Sequence, residues 1–497
     1  MSAATAAPRP ESRPLAANAI VVCADTFRAD HLGAYGSTWI ETPALDGLAA
    51  AGVTFDACFA EALPTIPARK AYLTGRPLFP HWERRPYKGD PLSRQPGWHP
   101  LHEHEVTLPE ILGAAGFVTG MVADTYHLFK PGMNLLRGFS SWQVVRGQEA
   151  DPYRTGPRGR LAALAAPYTG IAGLDGPDGP GGPQGADLRR SSLPRGGGAI
   201  QYLLNNAGRQ TEAEYLVARV MRTAAGWLED NAAPGGPPFC LWIDCFDPHE
   251  PWDPPRAYAD RYDPEFAGPE PVFALHNRWD DLPPAHQRRA KALYAGEVSL
   301  VDRWIGYLLE RVAALGLAGR TAIFFTTDHG TILGEHGRLH KSPETLISPE
   351  TRLPLLLRLP GGRFAGTRVA GLMQSYDLLP TLLDVLGVAT PPFVLGRSAI
   401  AALRGGAGGG PAGREQVVSA YTDHAALRTA RWNLISAYAG RRVRDRPRLF
   451  DLRADPLEAT DVAADHPAVV RELVERLEAH MQAPPPPPAP PDWASAG

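Results

Sequence analysis

The sequence predicts an α/β fold: a mostly parallel β-sheet flanked by helices on both faces, with a smaller C-terminal α+β subdomain. Three observations carry this. Continuous apolar runs, AIVVCADT, PFCLWIDCFDPH and TAIFFTTDHG, read as strands buried on both faces, since half-buried strands alternate. Between them lie stretches such as EAEYLVARVMRTAAGWLEDN, apolar at helical spacing, and strands alternating with helices give a sheet covered on both sides. Near residue 390 the character changes. AALRTARWNLISAY and RPRLFDLRADPLEATDVA read as short antiparallel strands with a turn. The helix PAVVRELVERLEAHMQ follows, with Val469, Val470, Leu473, Val474 and Leu477 on one stripe.

The organisation expected is an N-terminal tail (1–17), a catalytic domain (18–388), the α+β subdomain (389–482) and a Pro-rich tail (483–497). Residues 156–198 are dense in Gly, Pro and Arg and read as a disordered surface insertion. Residues 404–414 read as a flexible loop. No internal repeat is visible.

Composition narrows the function. The chain has 497 residues, of which 44% are hydrophobic, enough for a sizeable core. A net charge of -3 gives no electrostatic reason to expect nucleic acid or an anionic membrane as partner. The N-terminus lacks an apolar h-region and no later run is long enough to span a bilayer. A cytoplasmic setting is expected, and a homo-oligomer is left open. Cys23, Cys58, Cys240 and Cys245 show no metal-finger spacing and read as buried free thiols.

Function gathers beyond the carboxyl ends of parallel strands. Asp25, Asp247, His249, Asp328 and His329 all fall there. A carboxylate at the end of a buried strand is costly without compensation, and a metal ion supplies it.

Five motifs then occur in order: ADTFRADHLGAYG, TIPARKAYLTGR, DPHEPWDPP, TDHGTILGEHGRLHK and FDLRADPLEATD. Together they resemble the sulfatase family of the alkaline phosphatase superfamily, from about residue 18 to 480 apart from the Gly/Pro insertion. The resemblance implies an alkaline-phosphatase-like sheet and a hydrolase of sulfate or phosphate-type esters. Metal ligands would be Asp25, Asp328, His329 and the Thr65 oxygen, holding one divalent ion. Mn, Zn and Ca are the candidates, with Mn or Zn favoured because imidazole suits them better than Ca. Thr26 stands where the family usually has a second acidic ligand, and His329 where it often has Asn.

Thr65 is the main departure. Sulfatases carry Cys or Ser there, oxidised to formylglycine. Cys58 lacks the following Pro-x-Arg and is no substitute. An unmodified hydroxyl on a divalent metal has a lowered pKa and attacks phosphorus, as a metal-bound Thr does in related phosphodiesterases. Pro67 pre-sets a helix start and Gly75 suits its end, so Thr65 is expected just before a helix N-terminus, where free N–H groups favour an anion.

By the same resemblance Arg69 contacts metal-bound oxygens or the substrate anion through its rigid fork. His249 protonates the leaving oxygen. Lys341 holds a non-bridging oxygen or assists the leaving group. His127 matches the histidine of a Lys-x-His pair whose lysine is Thr125 here, with Lys130 as a substitute charge. Asp247, His249 and His340 are imaginable ligands of a second ion, but Lys341 is what single-metal relatives use in its place. Glu335 and His336 read as structural or rim residues. Two further readings stand beside this one: a phosphodiesterase or phosphonate monoester hydrolase, and a non-catalytic relative that binds an anionic ligand.

Overall fold

In a computed structural model the described residues are 14–81, 95–130, 132–155, 164, 167–168, 197–233, 235–272, 279–404, 414–444, 446–491 and 493–495. Nearly all of the Gly/Pro insertion and of the 404–414 loop lie outside them.

The three apolar runs form the centre of a nine-stranded sheet. They are β1 (Asn18–Ala24), β6 (Phe239–Cys245) and β7 (Thr321–Thr326), and β1 pairs in parallel with both others. Beyond β6 the sheet continues through β4 (Val118–Ala123) and β5 (Ser141–Val144), again parallel. On the other side β10 (Arg352–Arg358) runs antiparallel to β7 and to β2 (Val53–Phe59). Two short strands, β11 (Thr367–Val369) and β12 (Met373–Gln374), close that edge against β2. The sheet is mostly parallel, as the continuous apolar runs require.

Side-chain alternation divides the core in two. Val21, Cys23, Trp242 and Phe324 face α2 (Thr65–Thr74), α3 (Leu108–Ala114) and α7 (Leu378–Leu386). Ile20, Val22, Ile243 and Phe325 face α1 (Pro43–Ala50), α5 (Leu216–Asn231) and α6 (Pro284–Ala314). A further helix, α4 (Gly197–Asn205), precedes α5. No described helix is long and apolar enough to cross a membrane.

The C-terminal subdomain is an antiparallel sheet of β13 (Gln416–Tyr421), β14 (His424–Thr429), β15 (Trp432–Ala439), β16 (Arg442–Val443) and β17 (Arg448–Asp451), backed by α8 (Pro467–Gln482). Leu473, Leu477 and Met481 of α8 are fully buried against it, while Val469, Val470 and Val474 are partly buried. The subdomain is not self-contained: β3 (Ala62–Leu63), two residues before Thr65, pairs in parallel with β13. The remaining two strands, β8 (Ile332–Leu333) and β9 (Leu339–His340), form a small hairpin just after the β7 strand end.

Candidate active site

The carboxyl ends of β1, β4, β6 and β7 and the N-terminus of α2 meet at one edge of the sheet. Arg69 of α2 is the organising residue. Its guanidinium is 1% exposed and engages three buried carboxylates. Nη1 lies 3.0 Å from Asp25 Oδ2 and also contacts Asp328 Oδ2, while Nε and Nη2 donate to Asp244 at 3.2 and 2.9 Å. Asp244 is further held by the Thr125 hydroxyl at 2.5 Å and the Trp242 indole N–H at 3.2 Å. Thr125, standing where the family has lysine, thus anchors the carboxylate that grips Arg69.

Three carboxylates against one guanidinium leave two negative charges in excess, in a site closed to water, where uncompensated charge is expensive. His329 completes the set. Its Nδ1 donates to the Gly330 carbonyl at 2.8 Å, which leaves the Nε2 lone pair free. That Nε2 is fully buried without a hydrogen-bond partner and sits 3.2 Å from Asp328 Oδ2. Ligand atoms of Asp25, Asp328 and His329 all lie within 4.8 Å of one another. An orphaned imidazole nitrogen beside two carboxylates with two surplus charges fits a divalent cation. The mixed N/O donor set suits Mn or Zn better than Ca.

Thr26 supports this centre rather than extending the ligand set. Its hydroxyl donates to Asp25 Oδ1 at 2.5 Å and its amide to Asp328 Oδ1 at 3.1 Å. It holds a φ of 63°, a costly conformation for a β-branched residue that persists where surrounding bonds over-determine it. Here Tyr294 supplies one more such bond, its hydroxyl donating to the Thr26 carbonyl at 2.8 Å.

Thr65 is the first residue of α2 rather than the residue before it, and is 3% exposed. The helix ends on Gly75 with φ 64°, as the sequence predicted. Arg69 stands one turn beyond Thr65 on the same face of α2.

His249 and Lys341 meet at 2.7 Å between Nε2 and Nζ. His249 Nδ1 donates to the Glu250 carbonyl at 2.7 Å, so Nε2 is the acceptor and Lys341 the donor. Burial holds His249 below its usual pKa, and Lys341 adds to the shift against Glu250. Burial works against the Lys341 charge too, yet Glu250 and Asp25 hold its pKa above the usual value. Glu250 lies 3.2 Å from Lys341 and 3.6 Å from His340. His340, considered above for a second ion, belongs to this Glu250 cluster. Asp247 turns elsewhere, accepting from Gln148 at 2.8 Å and the Val217 amide at 3.1 Å.

His127 is buried, with Nε2 2.6 Å from Glu149 Oε2 and its ring edge-on to Trp98. Burial alone would raise Glu149, but His127 holds its pKa down to about 2. Lys130 sits over the Tyr126 ring at 5.1 Å. Glu335 pairs with Arg28 at 2.8 Å and His336 donates to the Glu458 carbonyl at 2.8 Å, both structural. A cavity of about 490 Å³ borders α2, lined by Lys70, Arg76, His81, His99 and His102 and closed on one side by residues 485–489. Arg76 donates to the carbonyls of Pro486 at 3.2 Å and Pro487 at 2.7 Å.

Asp244, Glu250 and Glu149 were missed by sequence reasoning. Asp244 carried a usable signal: it is an acid inside a buried apolar strand, one residue before the strand end.

Fold and site together define an α/β protein whose strand ends gather Asp25, Asp328 and His329 into a cluster that could hold a metal ion. The profile described as Sulfatase matches residues 17–388, and one described as N-sulphoglucosamine sulphohydrolase, C-terminal, matches 334–483. The chain belongs to the sulfatase family, hydrolases of sulfuric esters. It is 25% identical over 431 residues to iduronate 2-sulfatase of Mus musculus, covering 76% of this chain and 70% of that protein. It is 25% identical over 398 residues to an arylsulfatase of Clostridium perfringens, covering 77% of each. In fold it is similar to the phosphonate monoester hydrolase of Agrobacterium radiobacter, with a TM-score of 0.68, 22% identity, and coverage of 94% and 96% of the two chains.

Proposed function

We propose that the protein hydrolyses an anionic sulfate or phosphate-type ester with unmodified Thr65 as the attacking group and one divalent cation held by Asp25, Asp328, His329 and Thr65. One observation carries this reading: the helix that begins at Thr65 places Arg69 among three buried carboxylates beside the orphaned His329 nitrogen. The cation, when bound, supplies positive charge that lowers the pKa of a ligated hydroxyl and neutralises the ester's own charge.

The chain's residues do the rest. Thr65 gives up its hydroxyl proton to water entering with the substrate, its Oγ1 forms the new bond to sulfur or phosphorus, and the bond to the ester oxygen breaks. The departing oxygen takes a proton from the Lys341–His249 pair. In the resting arrangement Lys341 holds that proton, because His249 Nε2 accepts from it. We therefore assign Lys341 the donor role and His249 its positioning, with Glu250 keeping the lysine charged. The free N–H groups at the start of α2 favour the developing negative charge. His127, ion-paired to Glu149, would bind a non-bridging oxygen.

Water must then attack the threonyl ester. That step is routine at phosphorus and slow at sulfur, so repeated turnover favours phosphate diesters and phosphonate monoesters over sulfate esters. A panel of aryl sulfate, phosphate diester and phosphonate ester, assayed with Mn or Zn added to metal-free protein, tests the reading. Metal-dependent turnover of any one supports hydrolysis, and turnover of none under either metal favours the non-catalytic alternative.

A further inference from the structure

We propose that Asp124, Cys245 and Asp247 hold a second divalent cation, of the borderline-soft kind typified by zinc, on the opposite face of the sheet from the catalytic centre. The pleat creates the two faces. Asp244 points with Trp242 towards Arg69 and α2, whereas Cys245 and Val122 point into the core beneath α5 and α6. Asp124 follows Val122 by two residues and shares its side of β4. One oxygen or sulfur atom from each of Asp124, Cys245 and Asp247 lies within 4.8 Å of the others, and all three residues are buried.

A second observation marks the cluster as incomplete. Asp124 is 2% exposed; one of its oxygens accepts the Phe246 amide at 2.7 Å, while Oδ2 has no partner. Nearby, Glu297 is 3% exposed and its Oε2 is equally unpartnered. The cation that serves this region, Arg209, is committed to Asp253, which also accepts from the Tyr202 hydroxyl at 2.6 Å. A buried carboxylate oxygen without a donor is costly, and the cluster has ligands but no positive charge among the described residues. Two carboxylates and a thiol, deprotonated on ligation, form a donor set that excludes Ca and Mg in favour of Zn, Co or Cd.

The ion would tie the end of β4 to the 246–250 turn, which carries His249 and Glu250. It acts by position, and is separate from the second catalytic ion that Lys341 replaces. The proposal does not depend on Thr65 chemistry.

The test uses the full chain, stripped of metal and reconstituted with cobalt or zinc. Element analysis is expected to give two ions per chain, and the cobalt form a thiolate-to-cobalt charge-transfer band. Cys245→Ser should abolish the band. Asp328→Asn should leave one ion with the band intact, which separates this site from the catalytic one. Asp124→Asn should weaken the second ion by more than about 10-fold, since even outer-shell losses cost about 10–100-fold. Should that variant fail to fold, Asp247→Asn and the Cys245→Ser spectrum decide the matter. A single ion in the wild type, a band that survives Cys245→Ser, or two ions of unchanged affinity in Asp124→Asn overturns the proposal.

Discussion

Replacing Asp244 by Asn probes the centre through a residue that does not touch the cation. In the native site Asp244 takes two guanidinium bonds from Arg69, at 3.2 and 2.9 Å, while the remaining nitrogen, Nη1, serves Asp25 and Asp328. Asparagine keeps one acceptor oxygen and turns an NH₂ towards Arg69 Nε. Removing one partner of a buried ion pair costs about 3–5 kcal/mol. The surviving neutral bond returns about 1 kcal/mol, so roughly 2–4 kcal/mol remains to be relieved. Arg69, no longer sharing its charge with Asp244, relieves it by binding Asp25 and Asp328 more strongly through the contacts it already makes, where it competes with the cation. Outer-shell losses weaken metal binding about 10–100-fold, which is about 1.4–2.7 kcal/mol. The two figures overlap, so a loss towards the upper end is expected. Chelator-competition titration of Mn and Zn into metal-free protein measures it directly. Equal affinities in the wild type and Asp244→Asn would show that Arg69 does not compete for the ligands, and the charge argument for the site would fail with it.

Thr65→Ala is expected to lower kcat by about 10³-fold or more, as loss of a nucleophile does, with a much smaller change in metal affinity; retained turnover would remove Thr65 from the attacking role. Adding Mn, which the thiol-containing second cluster does not favour, at 100 times Kd should stabilise the metal-free protein by about 2.7 kcal/mol, and His329→Ala should abolish that gain in thermal unfolding. The His127–Glu149 pair sets a pH window. Glu149 has its pKa lowered to about 2 by His127 against the effect of burial, so its contribution is present above the unfolded carboxyl value and is lost as pH falls from about 4.5 towards 2. His127→Gln should shift the acid limb of the thermal stability profile to higher pH, and an unchanged limb would refute the pairing.

Much of this was legible in the chain because burial leaves a strong mark. The runs ending at Asp25, Cys245 and Asp328 are apolar without alternation, and only a sheet covered on both faces demands that. The family motifs located Thr65, Arg69, His249, Asp328, His329 and Lys341. What escaped was pairing between distant segments. Nothing in WIDCFDPH says which of its acids faces α2, because the pleat that separates Asp244 from Cys245 is set by register. Glu149 lies 22 residues from His127, beyond β5 and without a motif of its own. The same blindness hid the contact between Lys341 and His249, whose Nδ1 faces the Glu250 carbonyl and leaves Nε2 to accept from the lysine.

The two residues Ala62 and Leu63 belong to the smaller sheet, while Thr65 opens the helix that carries Arg69 to the three carboxylates. A chain stopped ahead of residue 416 would therefore strip β3 of the strand partner it has among the described residues and loosen the segment that leads into Thr65. Engineers exchanging C-terminal portions between relatives would have to carry residues 60–65 along with them, because the seam of the graft runs next to the helix that holds Arg69.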